Sequence, residues 1–188
     1  GRVEMLGAIE EELRVSISEQ EINNNTSVAQ LEELIKNQEP IKDPVPLKRW
    51  PRLWWAKILR AILQTIALLF MRLFVKIKII GQSNLTNLKY PVIFMPNHLS
   101  FIDPGLLCLA LPFKTRNQLS FAAARDFLYE DLKWLAPLTE LIFNSFPIQR
   151  ESDYNIKLGL EFIGKMLDQG YSVTIFPDGK ISKDGSLL

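Results

Sequence analysis

Cysteine and histidine each occur only once in the 188 residues, as Cys108 and His98. A single cysteine closes no internal disulfide, so the sequence does not imply an oxidising compartment. No metal site is expected. A membrane-spanning segment is also missing. In the most apolar region the longest stretch without a charge is Ala61–Met71, far short of the ~20 residues a spanning helix needs. No signal peptide is expected from the first residues. Acid is absent from residues 44–80, which carry eight bases (Lys48, Arg49, Arg52, Lys57, Arg60, Arg72, Lys76, Lys78). Residues 1–43 show the reverse balance, with ten acids against four bases. The net charge of +1 conceals this reversal, and we place a domain boundary near position 43.

What is present fits a globular protein: 47% hydrophobic and 23% charged residues exclude bulk disorder. Val3, Leu6, Ile9 and Leu13 recur at helical spacing and predict a helix over residues 2–14. A second helix is expected over 27–36, capped by Ser27 with Gln30 as its capping-box partner and striped by Val28, Leu31 and Ile35. Two such helices are too small to bury a core alone. Residues 37–52 hold Pro40, Pro44, Pro46 and Pro51 among charges and read as a semi-rigid linker.

The Arg2–Leu13 segment, with Ile17 and then Thr26-Ser27-Val28-Ala29-Gln30-Leu31, resembles the second half of an acyl carrier domain. The resemblance implies a partial all-α carrier domain over 1–36 and phosphopantetheine on the parent protein. The attachment serine would lie outside this chain, just before Gly1. With Gly1 at the start and a turn-like Asp184-Gly185-Ser186 near the end, a fragment of a multidomain protein is expected.

Leu53 to Lys76 reads as an amphipathic helix. At 100° per residue from Arg60, the polar residues Arg60, Gln64, Lys57, Arg72, Thr65 and Lys76 fall between about 0° and 160°. Ile62, Leu73, Ile66, Leu59, Phe70, Leu63, Phe74 and Ala67 occupy about 200° to 340°. Trp50, Trp54 and Trp55 stand at its start, where interfacial anchors sit. A basic polar face and a bulky apolar face predict a helix lying in the plane of an anionic membrane. Nucleic-acid binding is not expected, because the bases lie on an apolar helix rather than on a broad polar face.

Beyond it, Val75–Ile79 alternates as a half-exposed strand. Tyr90–Met95 reads as a buried strand and Pro104–Leu111 as a short helix with Asp103 as its cap. Leu119–Ala123 is a strand. Residues 126–143 are helical, with Leu128, Leu132, Leu135, Leu138 and Ile142 inward. Ser145–Gln149 is a strand or loop, a helix covers 153–168 and stops at Gly170, and Tyr171–Phe176 is a strand. This alternation predicts an α/β fold, a mixed sheet flanked by helices with functional residues at strand ends.

Three loops follow apolar strand-like runs: Asn97–Asp103, Phe146–Arg150 and Phe176–Gly179. His98, with Asp103 five positions on, has the composition of a general base and its orienting acid. The set resembles the glycerolipid acyltransferase family, which includes the lysophosphatidic acid acyltransferases, over residues 53–188. Asn97, His98, Ser100 and Asp103 match its first motif, N-H-x-S-x-x-D. Phe176, Pro177 and Gly179 match its third, F-P-E-G, with Asp178 in the glutamate position. Phe146, Ile148 and Arg150 are the candidates for its second. Asn144 stands where that motif usually has glycine, and Pro147, Gln149, Lys180 and Ile181 also depart from the pattern.

The resemblance implies transfer of a fatty acyl group from an acyl-coenzyme A or acyl carrier thioester to a lipid hydroxyl. His98 would be the general base and Asp103 its positioning acid. Asn97, Ser100, Phe146, Ile148, Arg150, Phe176, Pro177, Asp178, Gly179 and Lys180 would contact substrate. No cofactor is expected in the acyltransferase domain itself. An anionic membrane surface is the implied partner and the cytoplasmic face of a membrane the implied location. Two other function classes fit the same residues: a non-catalytic lipid-binding module, and a thioester hydrolase using water with the same His–Asp pair.

Overall fold

The computed structural model describes residues 8, 9, 12, 13, 15, 26–37, 45–85, 87–149 and 153–177. The chain divides into two compact units, Gly1–Pro46 with Ile148–Glu161, and Leu47–Pro147 with Phe162–Leu188. In the first, residues 8, 9, 12 and 13 are helical, in line with the expected first helix, whose other residues lie outside the described ones. Helix α1 (Val28–Asn37) begins with the anticipated capping box. The Ser27 amide donates to Gln30 Oε1 at 2.9 Å and the Gln30 amide to Ser27 Oγ at 3.3 Å, so two otherwise unpaired donors are satisfied reciprocally. Val15 is buried against Ile9, Leu31, Leu34 and Ile35.

In the second unit a 3₁₀ turn (Trp50–Arg52) leads into helix α2 (Trp54–Phe74). The end of the expected linker is tied down here. Glu140, itself buried, accepts from Lys48 Nζ at 2.8 Å and from Trp50 Nε1 at 3.1 Å. No helix among the described residues is long and apolar enough to cross a membrane.

Helix α2 is amphipathic as expected, but its orientation corrects the sequence reading. The residues it buries are Ala56, Arg60, Gln64 and Leu68, so much of the polar stripe faces protein. Arg60 is fully buried, while Ile62, Ile66, Phe70, Leu73 and Phe74 are exposed, the last two by 79% and 71%. The reason lies in helix α5 (Ala136–Phe143). The last carbonyls of a helix have no partner within it. Arg60 Nε donates to the Leu141 carbonyl at 2.7 Å, and Gln64 Nε2 to the Ile142 carbonyl at 2.6 Å. Arg60 Nη2 also donates to Pro51 at 2.6 Å and to Glu140 at 3.4 Å, in each case at the carbonyl oxygen. Two polar side chains one turn apart thus close the C-terminus of α5. Burial lowers the Arg60 guanidinium pKa to about 10, which still leaves it charged at neutral pH beside the negative end of a helix dipole.

The strands are β1 (Ile93–Phe94), β2 (Leu119–Ala124), β3 (Phe146–Ile148) and β4 (Ser172–Thr174), in the order β1-β4-β2-β3. β4 runs parallel to both β1 and β2, and helices flank the sheet. Helices α3 (Asp103–Ala110) and α4 (Phe113–Asn117) connect β1 to β2, and α6 (Asp153–Asp168) precedes β4. Gly170, with φ +81°, ends that helical stretch as anticipated. The core gathers Leu68, Cys108, Leu109, Leu111, Leu119 and Phe121.

Several expected elements differ. Val75–Ile79 joins no strand among the described residues: the chain leaves α2 extended at Val75 but unpaired, and only Ile77 packs on the core. Alternation reports one buried face and is blind to whether a partner strand exists. The single helix expected over 126–143 is instead a π-helical turn (Asp126–Asp131), a non-helical turn and α5. Pro137 at the start of α5 explains the break, since proline fits the first turn of a helix but not its interior. Leu138, expected inward, is exposed.

Candidate active site

Parallel pairing of β1 and β4 brings the first and third motif loops together. The register sets Ile93 opposite Val173 and Phe94 opposite Thr174. The Ile175 amide donates to the Phe94 carbonyl at 3.0 Å, so both strands leave the sheet at the same, C-terminal end. As a result the His98 ring stacks on Phe176, with centroids 4.2 Å apart and planes at 27°. Phe176 also packs against the core. The ring of the only histidine is therefore backed by a side chain that is itself fixed.

His98 Nδ1 lies 3.0 Å from Asp103 Oδ2. The same oxygen accepts from the amides of Leu99 at 2.6 Å and Ser100 at 2.8 Å. Burial tends to raise the Asp103 pKa, but the Ser100 amide, His98 and the Leu99 amide together outweigh it, and the carboxyl sits below its ordinary value. An ionised carboxylate only accepts hydrogen bonds. Facing such an acceptor, Nδ1 is the donor nitrogen of the His98 ring. Both side chains are partly exposed, at 19% and 17%.

The expected capping role of Asp103 is not observed. The cap position of α3 is Ile102, and no side chain caps that helix. Asp103 begins the helix and turns its carboxylate back onto the 98–100 loop. Three donors converging there fix it more strongly than a helix amide could. Ser100 holds the turn: its carbonyl accepts from the Asp103 amide at 3.1 Å and its Oγ from the Ile102 amide at 3.4 Å. Asn97 is exposed beside His98, and Pro177 is exposed beyond Phe176.

Phe146 is elsewhere. It is buried to 1% exposure in β3, at the opposite edge of the sheet from β1, about 14 Å away at three inter-strand spacings. Ile148 is half-buried. Arg150, Asp178, Gly179 and Lys180 lie outside the described residues. Asn144 explains one departure from the second motif. Its φ of 50° is left-handed, a conformation that favours glycine and that asparagine tolerates. It ends α5, and its Nδ2 donates to Ser120 Oγ within the core.

Sequence reasoning missed Arg60, Gln64 and Glu140. For Arg60 and Gln64 the signal is their i, i+4 spacing on an amphipathic helix, which a membrane reading also explains; Glu140 leaves none. Cys108 offers no second nucleophile, because burial pushes its thiol up to about 12, and the thiolate is the reactive form. Among the described residues no cluster of histidine, cysteine and carboxylate is suited to a metal.

The acyltransferase family model matches residues 76–188, more than half of the chain and a span that includes the His98–Asp103 pair and the Phe176 loop. The chain belongs to the acyltransferase family, and this domain is an acyl-group transferase. No solved structure matches it.

Proposed function

We propose that this domain transfers a fatty acyl group from an acyl-coenzyme A or acyl carrier thioester to the hydroxyl of a glycerolipid such as a lysophospholipid. The observation that carries the reading is the His98 Nδ1–Asp103 contact of 3.0 Å, with the carboxylate anchored by two backbone amides. The acceptor hydroxyl gives its proton to His98 Nε2 as its oxygen forms the new bond to the thioester carbonyl carbon. Asp103 holds the tautomer and stabilises the imidazolium. Collapse of the tetrahedral intermediate breaks the C–S bond, and the imidazolium proton passes to the leaving thiolate. The acceptor is itself the nucleophile, so no enzyme serine is required, in keeping with Ser100 spending its Oγ and carbonyl on the turn.

The acceptor headgroup falls to Arg150 and Lys180, since guanidinium and ammonium both attract phosphate. The exposed apolar face of α2 supports a peripheral or monotopic position at a membrane, because a contiguous apolar surface of this kind marks an interaction site. Residues 1–36 are read as the C-terminal half of an acyl carrier domain, with residues 37–52 as the linker.

Product analysis tests the reaction. With a lysophospholipid and acyl-coenzyme A, the expected product is the diacyl lipid with free coenzyme A. Release of free fatty acid at the same rate with and without the acceptor would identify a thioester hydrolase instead.

A further inference from the structure

Where α2 ends, the chain forms an open cavity of about 510 Å³ that the reaction above does not use. Arg72 comes from the last turn of α2. Lys76 and Lys78 come from the extended segment that follows, together with Val75, Ile77 and Ile79. The chain leaves the helix extended at Val75, with φ −121° and ψ 118°. Ile77 packs on the core, while Lys76 and Lys78 on either side of it are exposed.

No acid lines the cavity, and residues 44–102 contain none at all. Three cations therefore meet without a neutralising partner in that stretch of chain. Terminal helix carbonyls can accept one cation or two. They do not account for Lys78, four residues past the helix end.

The surroundings indicate what kind of anion fits. The Phe70 and Phe74 rings meet at 4.6 Å, tilted by 50°, at the end of α2, and with Leu73 they are among its most exposed side chains. A cationic cavity next to an exposed apolar turn matches a molecule with a phosphate head and a hydrocarbon tail. We propose that Arg72, Lys76 and Lys78 bind the phosphate of an anionic membrane lipid, whose acyl chains lie along Phe70, Leu73 and Phe74. This deepens the membrane part of the proposed function and rests on it. It locates headgroup recognition at one end of α2, in residues other than His98 and Asp103.

The test is sedimentation of the full chain with vesicles of phosphatidylcholine alone, or of phosphatidylcholine with phosphatidylglycerol. Binding that depends on phosphatidylglycerol is expected. Each lysine near an anionic surface contributes about 1 kcal/mol, so Lys76→Gln with Lys78→Gln weakens binding on the order of 30-fold. Lys89→Gln with Lys114→Gln removes the same charge outside the cavity and leaves most of the binding intact. Both pairs are exposed, and Arg72→Gln provides an independent third probe.

Equal losses in the two lysine pairs would mean diffuse charge and would overturn the site, as would no preference for phosphatidylglycerol in the unmodified chain. Saturable binding of glycerol 3-phosphate without vesicle binding would assign the cavity to soluble phosphates and overturn the lipid assignment. Acyl transfer by the unmodified chain in detergent, measured alongside, separates these outcomes from failure of the proposed reaction.

Discussion

Arg60 on α2 donates through Nε to the carbonyl of Leu141 in the last turn of α5, at 2.7 Å. The contact explains why an arginine lies fully buried in a helix whose apolar side faces outward. Its partners among the described residues are backbone carbonyls; it closes a helix end. Removing it leaves carbonyls of buried backbone unpaired, at about 1–3 kcal/mol each, offset in part by relief of the buried charge. Arg60→Met is therefore expected to lower unfolding stability by about 1–3 kcal/mol in urea titration, and Gln64→Leu by a smaller amount. Unchanged stability in both variants would contradict the role given to this pair.

Asn144 yields a prediction from its backbone. Asn144→Gly and Asn144→Ala both lose the hydrogen bond to Ser120. Alanine alone must also hold a left-handed conformation, at about 1–2 kcal/mol. The alanine variant should be less stable than the glycine variant by that margin, read from thermal unfolding of the two side by side.

Asp103 contributes to stability in a defined pH window. Its folded-state pKa lies below the ordinary value, so between the two values the unfolded chain binds the extra proton. The contribution is complete above the unfolded pKa and disappears as the pH falls through the folded one. The stability gap between the unmodified chain and Asp103→Asn should therefore narrow steadily as the pH drops below about 4. A gap that widens on acidification would reverse the sign of the argument.

The same variant should be slow. An asparagine cannot hold His98 in the required tautomer while stabilising imidazolium, and the corresponding change in a hydrolase triad costs about 10⁴-fold in kcat. A fall of about 10²–10⁴ in acyl-transfer kcat, with little change in KM, is expected for Asp103→Asn.

Phe70→Asp with Phe74→Asp places two charges on the exposed apolar turn. Vesicle flotation should decrease sharply, because charge at an interface opposes the burial of apolar surface that holds such a helix. Unchanged flotation would remove α2 as the anchor.

How much of this was legible in the sequence depends on the physical signal involved. The His98 and Phe176 loops could be located because each follows a short apolar run, and β1 and β4 do end just before them. That they touch through ring stacking was not legible, since strand order is a long-range property with no local trace. The span of α2 was read nearly to the residue from its periodicity. Its inward face was not: hydropathy assigns Arg60 and Gln64 to solvent, while the decisive partner, an unpaired helix end, lies some 80 positions away. The 126–143 segment failed for a different reason. Its apolar spacing is helical, but Pro137 starts a new helix, α5, after the π-helical turn at Asp126–Asp131. Asn144 was noticed as a departure from a motif, and its left-handed φ supplies the reason.

The central claim is that His98 is the base that takes the acceptor's proton. It is tested most directly by the rate of acyl transfer from acyl-coenzyme A to a lysophospholipid, comparing His98→Gln with the unmodified protein at equal folded concentration. A loss of about 10²–10⁴ in kcat is expected, with folding unchanged by circular dichroism. Transfer at an undiminished rate would contradict it.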